Sequence, residues 1–329
     1  MNHSTTPAGE MFAAIDLGSN SFHLIVARES DGHLQVRDRL REPVRLAAGL
    51  DARGNLEPAA RLRAVDCLRR FGQRLRGFKP GTVRAVGTNT LRRAGSPEFL
   101  REAEEALGHP IEVIAGAEEA RLIYLGVAHG LPDSDANRLV VDIGGGSTEL
   151  ILGRRFEPLE LESLYMGCVS YSERFFPGGV ISEKGMHDAV IAARLELQAV
   201  ENEFIGSGWE QAIGASGTVR AVGDVVQAMG WSDEGITLEG LRRLAAELVK
   251  AGDTGQLRLN GLKEERLPVF PGGVAVLLAI YEGLPIGAMQ VSDWALREGL
   301  LYDLIGRVRH EDVRERTINA LCDGYQVDR

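Results

Sequence analysis

The sequence predicts an α/β protein with two structurally related lobes, and three observations support this. Strand-like and helix-like segments alternate along nearly the whole chain, as in sheets covered by helices. The segment AIDLGSNS at 14–21 returns as VDIGGGST at 141–148, which indicates an internal repeat. The turn-rich segment GLPDSDAN at 130–137 separates the two copies. We therefore predict a flexible N-terminus at 1–11, lobe I at 12–130, lobe II at 131–306 and a helical segment at 307–329.

Lobe I is predicted to begin with a hairpin. FAAIDLG at 12–18 and FHLIVAR at 22–28 have the composition of buried strands, joined by the tip at 16–21. The helix at 97–107 has a clear start, because Ser96 can cap it and proline is tolerated in a first turn. The other predicted elements are a strand at 33–38, a helix at 57–76, strands at 82–87 and 111–115, and a helix from about Ala117.

Lobe II is predicted to repeat the hairpin. A buried strand at 138–143 leads through the glycine loop 144–147 into a strand at 148–153. The pattern of strands and helices then resumes. We predict a helix at 183–204, a strand at 210–214 followed by a helix, helices at 238–250 and 274–283, a strand at 287–291 and a helix at 294–305.

Composition excludes several classes of function. The net charge of −10 argues against a general nucleic-acid-binding protein, and no apolar run is long enough to span a membrane. No signal peptide is recognisable, and Cys67, Cys168 and Cys322 are too scattered for a disulfide framework, so we expect a cytoplasmic protein. Residues 30–101 carry sixteen basic against seven acidic residues. This segment either faces a polyanion or forms solvated helix surface.

Both hairpin tips have the composition of a phosphate-binding loop. Glycines let backbone N–H groups approach a phosphate, since no Cβ is in the way. Hydroxyl and amide side chains add further donors. Neither tip is a GxxxxGK[ST] or GxGxxG nucleotide loop. The predicted phosphate ligands are Gly18, Ser19, Asn20 and Ser21 in the first tip and Gly144, Gly145, Gly146, Ser147 and Thr148 in the second.

An aspartate precedes each tip, at Asp16 and Asp142. A carboxylate beside a bare phosphate is unfavourable, but it becomes favourable when a divalent cation lies between them. Mg²⁺ commonly binds one or two carboxylates together with phosphate oxygens and water. We therefore predict a Mg²⁺ site, with the alternative that each aspartate only caps its turn.

Two further segments carry groups suited to an anion. Thr88 and Arg92 follow the strand at 82–87 and can reach a phosphate chain at the mouth of a cleft. Ser216, Gly217 and Thr218 form a third glycine–hydroxyl turn, ahead of a helix whose N-terminus favours anions.

Three glutamates are candidates for the chemistry. Glu118 and Glu119 open a helix, where they either stabilise the helix dipole or supply a general base at the cleft. Glu149 follows Thr148, where it either supports a metal ion and water or is an ordinary strand residue.

Several motifs together resemble those of the exopolyphosphatase/guanosine pentaphosphate phosphohydrolase family. They are AAIDLGSNSFHLIVAR, GTNTLRRA, AGAEEARLIYLGV, VVDIGGGSTELILG, MGCVSYSERFFPGG, GASGTVRAV and ALREGLLYDLIGR. The likeness extends from about residue 12 to 329, in the order of the family.

The resemblance implies a duplicated ribonuclease H-like fold, as in actin-like ATPases, with Mg²⁺-dependent release of terminal orthophosphate in the cleft between the lobes. K⁺ is a further cofactor implied by the family. By motif position, Glu119 corresponds to the catalytic base, Asp142 to a carboxylate important for metal and water, and Glu149 to an accessory one. Arg92 matches a phosphate-contacting position.

The resemblance leaves two substrates open. IGGGSTEL and FFPGGVIS look more like exopolyphosphatase, so inorganic polyphosphate is the expected substrate, with guanosine pentaphosphate (pppGpp) as the alternative. Long family members continue into C-terminal helical domains, and the segment at 307–329 resembles the start of one. We expect that missing part to support a homodimer.

Two other classes remain open. A protein of this fold can clamp a nucleotide as a sensor without hydrolysing it. A sugar or acetate kinase is a third possibility, but no acceptor-recognition motif supports it. We expect that the protein neither binds nucleic acid nor is integrated into a membrane.

Overall fold

Two β-sheets form the centre of the molecule, one for each copy of the repeat. The computed structural model describes residues 10–30, 33–51 and 53–309. The first sheet has the strand order β3-β2-β1-β4-β5 and the second the order β10-β11-β9-β6-β7-β8. The strands of the first sheet are β1 (Met11–Leu17), β2 (Phe22–Ser30), β3 (His33–Glu42), β4 (Val83–Gly87) and β5 (Ile111–Val113). Those of the second are β6 (Asn137–Ile143), β7 (Thr148–Arg154), β8 (Glu157–Leu164), β9 (Gln211–Ala215), β10 (Ile236–Thr237) and β11 (Ala288–Val291).

The two sheets share one topology. In each sheet three antiparallel strands follow one another, β1–β2–β3 and β6–β7–β8, and a later strand pairs in parallel with the first of them. Asp16 and Asp142 occupy equivalent places, because each pairs with a residue of the next strand one step before the tip. This correspondence confirms the predicted duplication.

Helices cover the sheets and connect their strands. In lobe I they are α1 (Pro58–Arg74), α2 (Asn89–Ala94), α3 (Pro97–Leu107) and α4 (Gly116–His129). In lobe II they are α5 (Cys168–Phe175), α6 (Glu183–Gln198), α7 (Glu201–Ser207), α8 (Ser216–Ala228), α9 (Leu238–Ala251), α10 (Phe270–Gly283) and α11 (Leu296–Arg309). The predicted cap of α3 is confirmed, since the Ser96 hydroxyl accepts a hydrogen bond from the Phe99 N–H.

Some elements differ from the sequence prediction. The strands β8 and β10 and the helices α2 and α5 were not predicted from the sequence. The predicted helix at 183–204 is broken, because α6 ends at Gln198 and α7 begins at Glu201. Its hydrophobic pattern continues across the break, with Leu197, Val200 and Phe204 all buried, so periodicity alone does not reveal the break.

The helices α4 and α11 pack against each other between the sheets, and α11 also contacts β1. Their backbones meet at two glycines. A Cβ on Gly126 would lie 2.0 Å from the Ala295 carbonyl oxygen, and one on Gly299 would lie 1.8 Å from that of Leu122. Only glycine permits this approach. The close packing fixes the N-terminal ends of both helices, and these ends carry Glu119 and Arg297.

A buried ion-pair network also joins α11 to lobe I. The Arg84 side chain on β4 is 3% exposed and contacts Asp303 at 2.6 Å. Asp303 also accepts from Arg121 at 2.6 Å, and Arg121 pairs with Glu118. Because α11 contacts lobe I so extensively, its place in lobe II rests on sequence order alone, and the predicted domain bounds stay predictions.

Some sequence predictions fall outside these residues. The predicted N-terminus is described only from Glu10, and Cys322 and 310–329 lie outside the described residues. Within the described ranges, no helix combines the length and apolar character needed to cross a membrane.

Candidate functional site

The two hairpin tips face each other across one cavity of about 330 Å³. The β1–β2 hairpin carries the first tip and the β6–β7 hairpin carries the second, so the duplicated topology brings the loops together. The third glycine–hydroxyl turn, between β9 and α8, also reaches this cavity. Predicted site residues that line it are Asp16, Gly18, Ser19, Asn20, Ser21, Thr88, Glu119, Asp142, Gly144, Gly145, Ser147, Ser216, Gly217 and Thr218.

The tips touch where the second loop has no side chains. A Cβ on Gly145 would lie 2.6 Å from the Ser19 Cβ, and one on Gly146 would lie 2.5 Å from the Asn89 side-chain oxygen. The Gly145 carbonyl accepts hydrogen bonds from the N–H groups of Val169 and Ser170 at the start of α5. The glycines therefore serve the contact between loops as well as any approach to phosphate.

We expect Gly145→Ala to disturb this contact. Its methyl group must push Ser19 away, and overpacking of this kind typically costs about 1–3 kcal/mol. The free energy of unfolding should fall by that amount, and KM for the phosphate substrate should rise, because Ser19 belongs to the first loop. Gly206→Ala is the control, since a Cβ there meets nothing within 4 Å. An unchanged KM in Gly145→Ala would contradict the expected coupling of the two loops.

Asp16 and Asp142 are buried at the base of the cavity. Burial, followed by repulsion from Glu119, raises the pKa of each carboxyl group to about 7. The positive charge of Arg297 lowers both pKa values and offsets part of that rise. Asp16 Oδ1 has no hydrogen-bond partner among the described residues. A buried carboxylate without a partner is costly, so this pair suits an external cation.

Glu119 lies in the first turn of α4, with its carboxylate facing the same cavity. Arg92 Nη1 donates to Glu119 Oε2 at 2.8 Å and to the Ile114 carbonyl at 2.9 Å. Burial raises the pKa of Glu119, and the Arg92 guanidinium opposes that rise. The arginine therefore holds the carboxylate in place and keeps part of its population ionised, as a general base requires.

Glu149 lies behind the cavity and does not line it. The Ser163 hydroxyl donates to Glu149 Oε1 at 2.8 Å, and the side chain is almost fully buried. Burial, Glu119 and Asp142 together raise the pKa of Glu149 well above its usual value. The charges of Glu119 and Asp142 therefore favour the protonated form of Glu149, which does not line the cavity.

The carboxylates fit a divalent cation that also binds the substrate. Among the described residues, no group of three or more His, Cys, Asp or Glu side chains is placed to hold a metal ion alone. Mg²⁺ bound through one or two carboxylates takes its remaining ligands from phosphate oxygens and water. Asp16 and Asp142 match that donor set, because both carboxylates line the cavity and Asp16 Oδ1 has no hydrogen-bond partner among the described residues.

The raised pKa of Asp16 predicts a pH-dependent stability. The folded protein keeps a proton on Asp16 up to about pH 7, whereas the unfolded chain releases it near the ordinary value of 3.8. The contribution of this group to stability is therefore present below about pH 4 and is lost as the pH rises through 7. Without divalent cations, Asp16→Asn should stabilise the protein at about pH 8 by on the order of 2–4 kcal/mol, and hardly at all at about pH 4.

Thermal unfolding in a chelator at both pH values measures this difference. Asp51→Asn is the control of opposite sign, because hydrogen bonds from Asn55 lower the pKa of Asp51. Mg²⁺ should raise the unfolding temperature of the parent protein more than that of Asp16→Asn. If Asp16→Asn is the less stable protein at about pH 8 in chelator, the assigned cost of the buried charge is wrong.

Five cationic side chains line the same cavity as the carboxylates, and Arg297 acts directly on Asp16 and Asp142: Arg41, Arg220, Lys263, Arg266 and Arg297. Arg41 pairs with Glu265, and Arg220 donates to the carbonyl groups of Ser292 and Asp293. The Arg266 guanidinium lies directly over Gly217, where a Cβ would be 1.7 Å from its Nη2 atom. Guanidinium groups in this position suit phosphate oxygens.

Arg297 has an unusual partner at the start of α11. Its Nη1 atom lies 3.2 Å from His23 Nδ1. Arginine can only donate, so this histidine nitrogen accepts and the ring is neutral. Burial, followed by the charge of Arg297, lowers the pKa of His23 well below its usual value. Within the described ranges, no carboxylate lies within ion-pairing distance of Arg297, whose charge is therefore available to the cavity.

Four predicted site residues lie outside the cavity. Thr148 is fully buried and its hydroxyl donates to the Met166 carbonyl at 2.6 Å, so it is not available to a phosphate in this geometry. Gly146 packs against Asn89, while Glu149 and Arg92 lie behind the carboxylates. Their assigned roles in binding stay predictions.

The sequence analysis missed much of the cavity wall. The missed residues include His23, Arg41, Asn89, Cys168, Arg220, Asp224, Lys263, Glu265, Arg266 and Arg297. Five of them lie inside quoted motifs and could have been nominated from these, namely His23 in AAIDLGSNSFHLIVAR, Asn89 in GTNTLRRA, Cys168 in MGCVSYSERFFPGG, Arg220 in GASGTVRAV and Arg297 in ALREGLLYDLIGR. The others come from a strand, a helix and a loop whose proximity depends on tertiary packing.

The arginine-rich segment at 30–101 is mostly surface. Within it Arg61, Arg69, Arg70 and Arg74 form exposed or half-exposed ion pairs with nearby carboxylates. Such pairs contribute little to stability. From this segment Arg41 alone reaches the cavity, while Arg92 supports Glu119, so the solvated-surface interpretation holds for most of these arginines.

Comparison with known proteins identifies the family. The Ppx/GppA phosphatase family matches residues 25–308. The chain belongs to this family. It is 46% identical to the guanosine-5'-triphosphate,3'-diphosphate pyrophosphatase of Aeromonas hydrophila, over 97% of this chain and 64% of that protein. It is 45% identical to the protein of the same name from Vibrio cholerae, over 99% of this chain and 65% of that protein. The chain thus spans less than two thirds of the length of these Ppx/GppA relatives.

Solved structures of Ppx/GppA proteins share the fold. The PPX-GPPA enzyme of Aquifex aeolicus is 27% identical with a TM-score of 0.72, covering 89% of this chain and 98% of that one. An exopolyphosphatase from Cytophaga hutchinsonii is 26% identical with a TM-score of 0.80, covering 92% and 99%. Together with the repeated sheets, these likenesses confirm the predicted duplicated ribonuclease H-like fold of actin-like ATPases.

Proposed function

We propose that this chain removes the terminal 5′-phosphate of pppGpp by hydrolysis. The observation that carries the proposal is the position of Glu119 between two phosphate-type loops in one cavity. The relatives of Aeromonas and Vibrio, at 45–46% identity, are named for this substrate. That similarity favours pppGpp, the alternative substrate predicted from the sequence, over polyphosphate, the substrate expected there.

The loops position the substrate. Backbone N–H groups and hydroxyls of the first tip, with Ser147 of the second, approach the terminal phosphates from both lobes. Mg²⁺ held by Asp16 and Asp142 would add positive charge against the phosphate oxygens. Positioning and charge stabilisation account for most of the catalysis of phosphoryl transfer.

Glu119 then orients the attacking water and accepts its proton. Arg92 fixes the carboxylate from behind through Nη1, which leaves the cavity side of Glu119 open. Burial raises the pKa of Glu119 above that of an exposed glutamate, although the Arg92 guanidinium opposes the rise. A base of that strength can take a proton from water as the phosphorus–oxygen bond forms, and the leaving chain carries away the charge on its former bridging oxygen.

Arg297 supplies a fixed cation on the other side of the carboxylates. It lies near enough to lower the pKa of both Asp16 and Asp142, and His23 holds it without neutralising it. A guanidinium there can bind the oxygens of the phosphate being transferred, whose charge shifts as the bond to the leaving chain breaks.

Inorganic polyphosphate remains the second candidate substrate, supported by the similarity to the Cytophaga exopolyphosphatase. Phosphate release should be measured with Mg²⁺ on pppGpp, short polyphosphate and long polyphosphate side by side. A kcat/KM that is highest for pppGpp supports the proposal. A higher value for either polyphosphate overturns the proposed substrate, and binding of pppGpp without release of phosphate would indicate a sensor.

A further inference from the structure

One face of helix α8 runs along the cavity from the phosphate loops to the far end. Gly217, Arg220, Ala221 and Asp224 line the cavity at the three- and four-residue spacing of a single helix face. At 1.5 Å per residue, Asp224 lies about 12 Å along the axis from Ser216. Ser216 is bound to the Ile143 carbonyl next to Asp142, so it marks the catalytic end. The face thus passes from small and hydroxyl groups, through arginine, to a carboxylate.

The charge of Asp224 is out of keeping with a site for phosphate alone. Arg41, Arg220, Lys263 and Arg266 line the same cavity as Asp224. Glu265, the other acid there, is neutralised by its ion pair with Arg41. By contrast, the described part of the chain places no cation within ion-pairing distance of Asp224 and no hydrogen bond on its carboxylate. Asp224 is exposed to solvent at the edge of the cavity, so its carboxylate is free to accept hydrogen bonds from a ligand that offers donors, whereas it repels a polyphosphate chain.

The backbone around Gly261 packs against the backbone of Asp224 at the edge of the cavity. Gly261 has a left-handed φ of +87°, and a Cβ there would lie 2.5 Å from the Asp224 carbonyl oxygen. The loop therefore packs directly on the third turn of α8, and Gly261 and Lys263 line the cavity beside the carboxylate. The result is a solvent-exposed edge of the cavity that carries one unpaired carboxylate.

We propose that Asp224 recognises the guanine base by accepting hydrogen bonds from its N1–H and 2-amino groups. A carboxylate has two acceptor oxygens side by side, and guanine presents two adjacent N–H donors on one edge. Adenine offers an acceptor at N1, and polyphosphate offers no donor of this kind. This inference rests on the proposed function, and it makes Asp224 a residue that sets specificity for the nucleoside, while the arginines between it and the loops face the phosphates.

The test is Asp224→Asn assayed on pppGpp, on its xanthosine counterpart and on inorganic tripolyphosphate. Asparagine replaces one acceptor with a donor, which mismatches the 2-amino group of guanine but matches the carbonyl oxygen that xanthine carries there. The ratio of kcat/KM for pppGpp to that for tripolyphosphate should fall roughly 10- to 100-fold, as expected for a bidentate base contact. The preference between guanosine and xanthosine substrates should shift toward xanthosine.

Asp233→Asn makes the same change of charge in the exposed segment after α8, away from the cavity, and should keep the parent ratios. An equal fall on all three substrates would assign Asp224 a structural role and overturn the inference, as would unchanged ratios. The proposed function fails separately, if the parent protein releases phosphate from tripolyphosphate and none from pppGpp.

Discussion

Replacing Glu119 with Gln is expected to lower kcat by roughly 10²–10⁴-fold, the range for loss of a positioned general base. The amide keeps the shape of the side chain and can still accept from Arg92 through its oxygen, so the loops and the substrate keep their positions. It cannot take a proton from water. Single-turnover phosphate release measures the chemical step, and equilibrium binding of substrate should change little.

Glu118→Gln is the matched control for this prediction. Glu118 is the preceding residue of α4, but its carboxylate pairs with Arg121 and does not line the cavity. This variant should lose stability through the weakened ion pair, while its kcat stays within a few-fold of the parent. A Glu119→Gln protein that releases phosphate at a near-parent rate would remove Glu119 from the role of base.

The hairpins and their tips were predictable from sequence because their signals are local. Asp16 and Asp142 each precede a glycine-containing turn between two strongly apolar strands, so one pattern occurs twice in the chain. The repeat also implied that the two loops occupy equivalent places in similar sheets. The structure brings both loops and Glu119 to one cavity. The local sequence pattern was therefore enough to predict both the phosphate-type loops and the aspartates that precede them.

The cationic wall was not predictable in the same way. Arg220, Lys263 and Arg266 come from α8 and from a loop far along the chain, and their side chains meet through packing of α8, α10 and the sheet. The direction in which a side chain points is equally unpredictable from its position in the sequence. Thr148 and Arg92 lie next to the site in sequence, yet the first points at the Met166 carbonyl and the second at Glu119.

The choice of substrate depended on features that the short motifs do not contain. IGGGSTEL and FFPGGVIS led to polyphosphate, although relatives at 45–46% identity are named for pppGpp. Both substrates end in the same terminal phosphoanhydride, so the loops that bind it need not differ. We therefore propose that discrimination depends on Asp224, which lines the cavity and lies outside those motifs.

Removal of Arg297 is expected to have the second large effect on catalysis. Arg297→Ala should lower kcat by roughly 10²–10³-fold, the usual loss when one preorganised donor to developing charge is removed. It should also shift the acidic limb of the pH–rate profile to higher pH, because the Arg297 charge lowers the pKa of Asp16 and Asp142. Arg297→Lys keeps the charge without the planar fork, so it should recover part of the rate.

Arg307→Ala on the same helix separates catalysis from packing. Arg307 pairs with Asp303 at 2.7 Å and does not line the cavity, so this variant should lose stability while its pH profile stays unchanged. If Arg297→Ala lowers kcat but leaves the profile where it was, the arginine does not act on the two aspartates. In that case the charge that balances Asp16 and Asp142 must come from another cation, such as Mg²⁺, and the contact between His23 and Arg297 would serve no catalytic purpose.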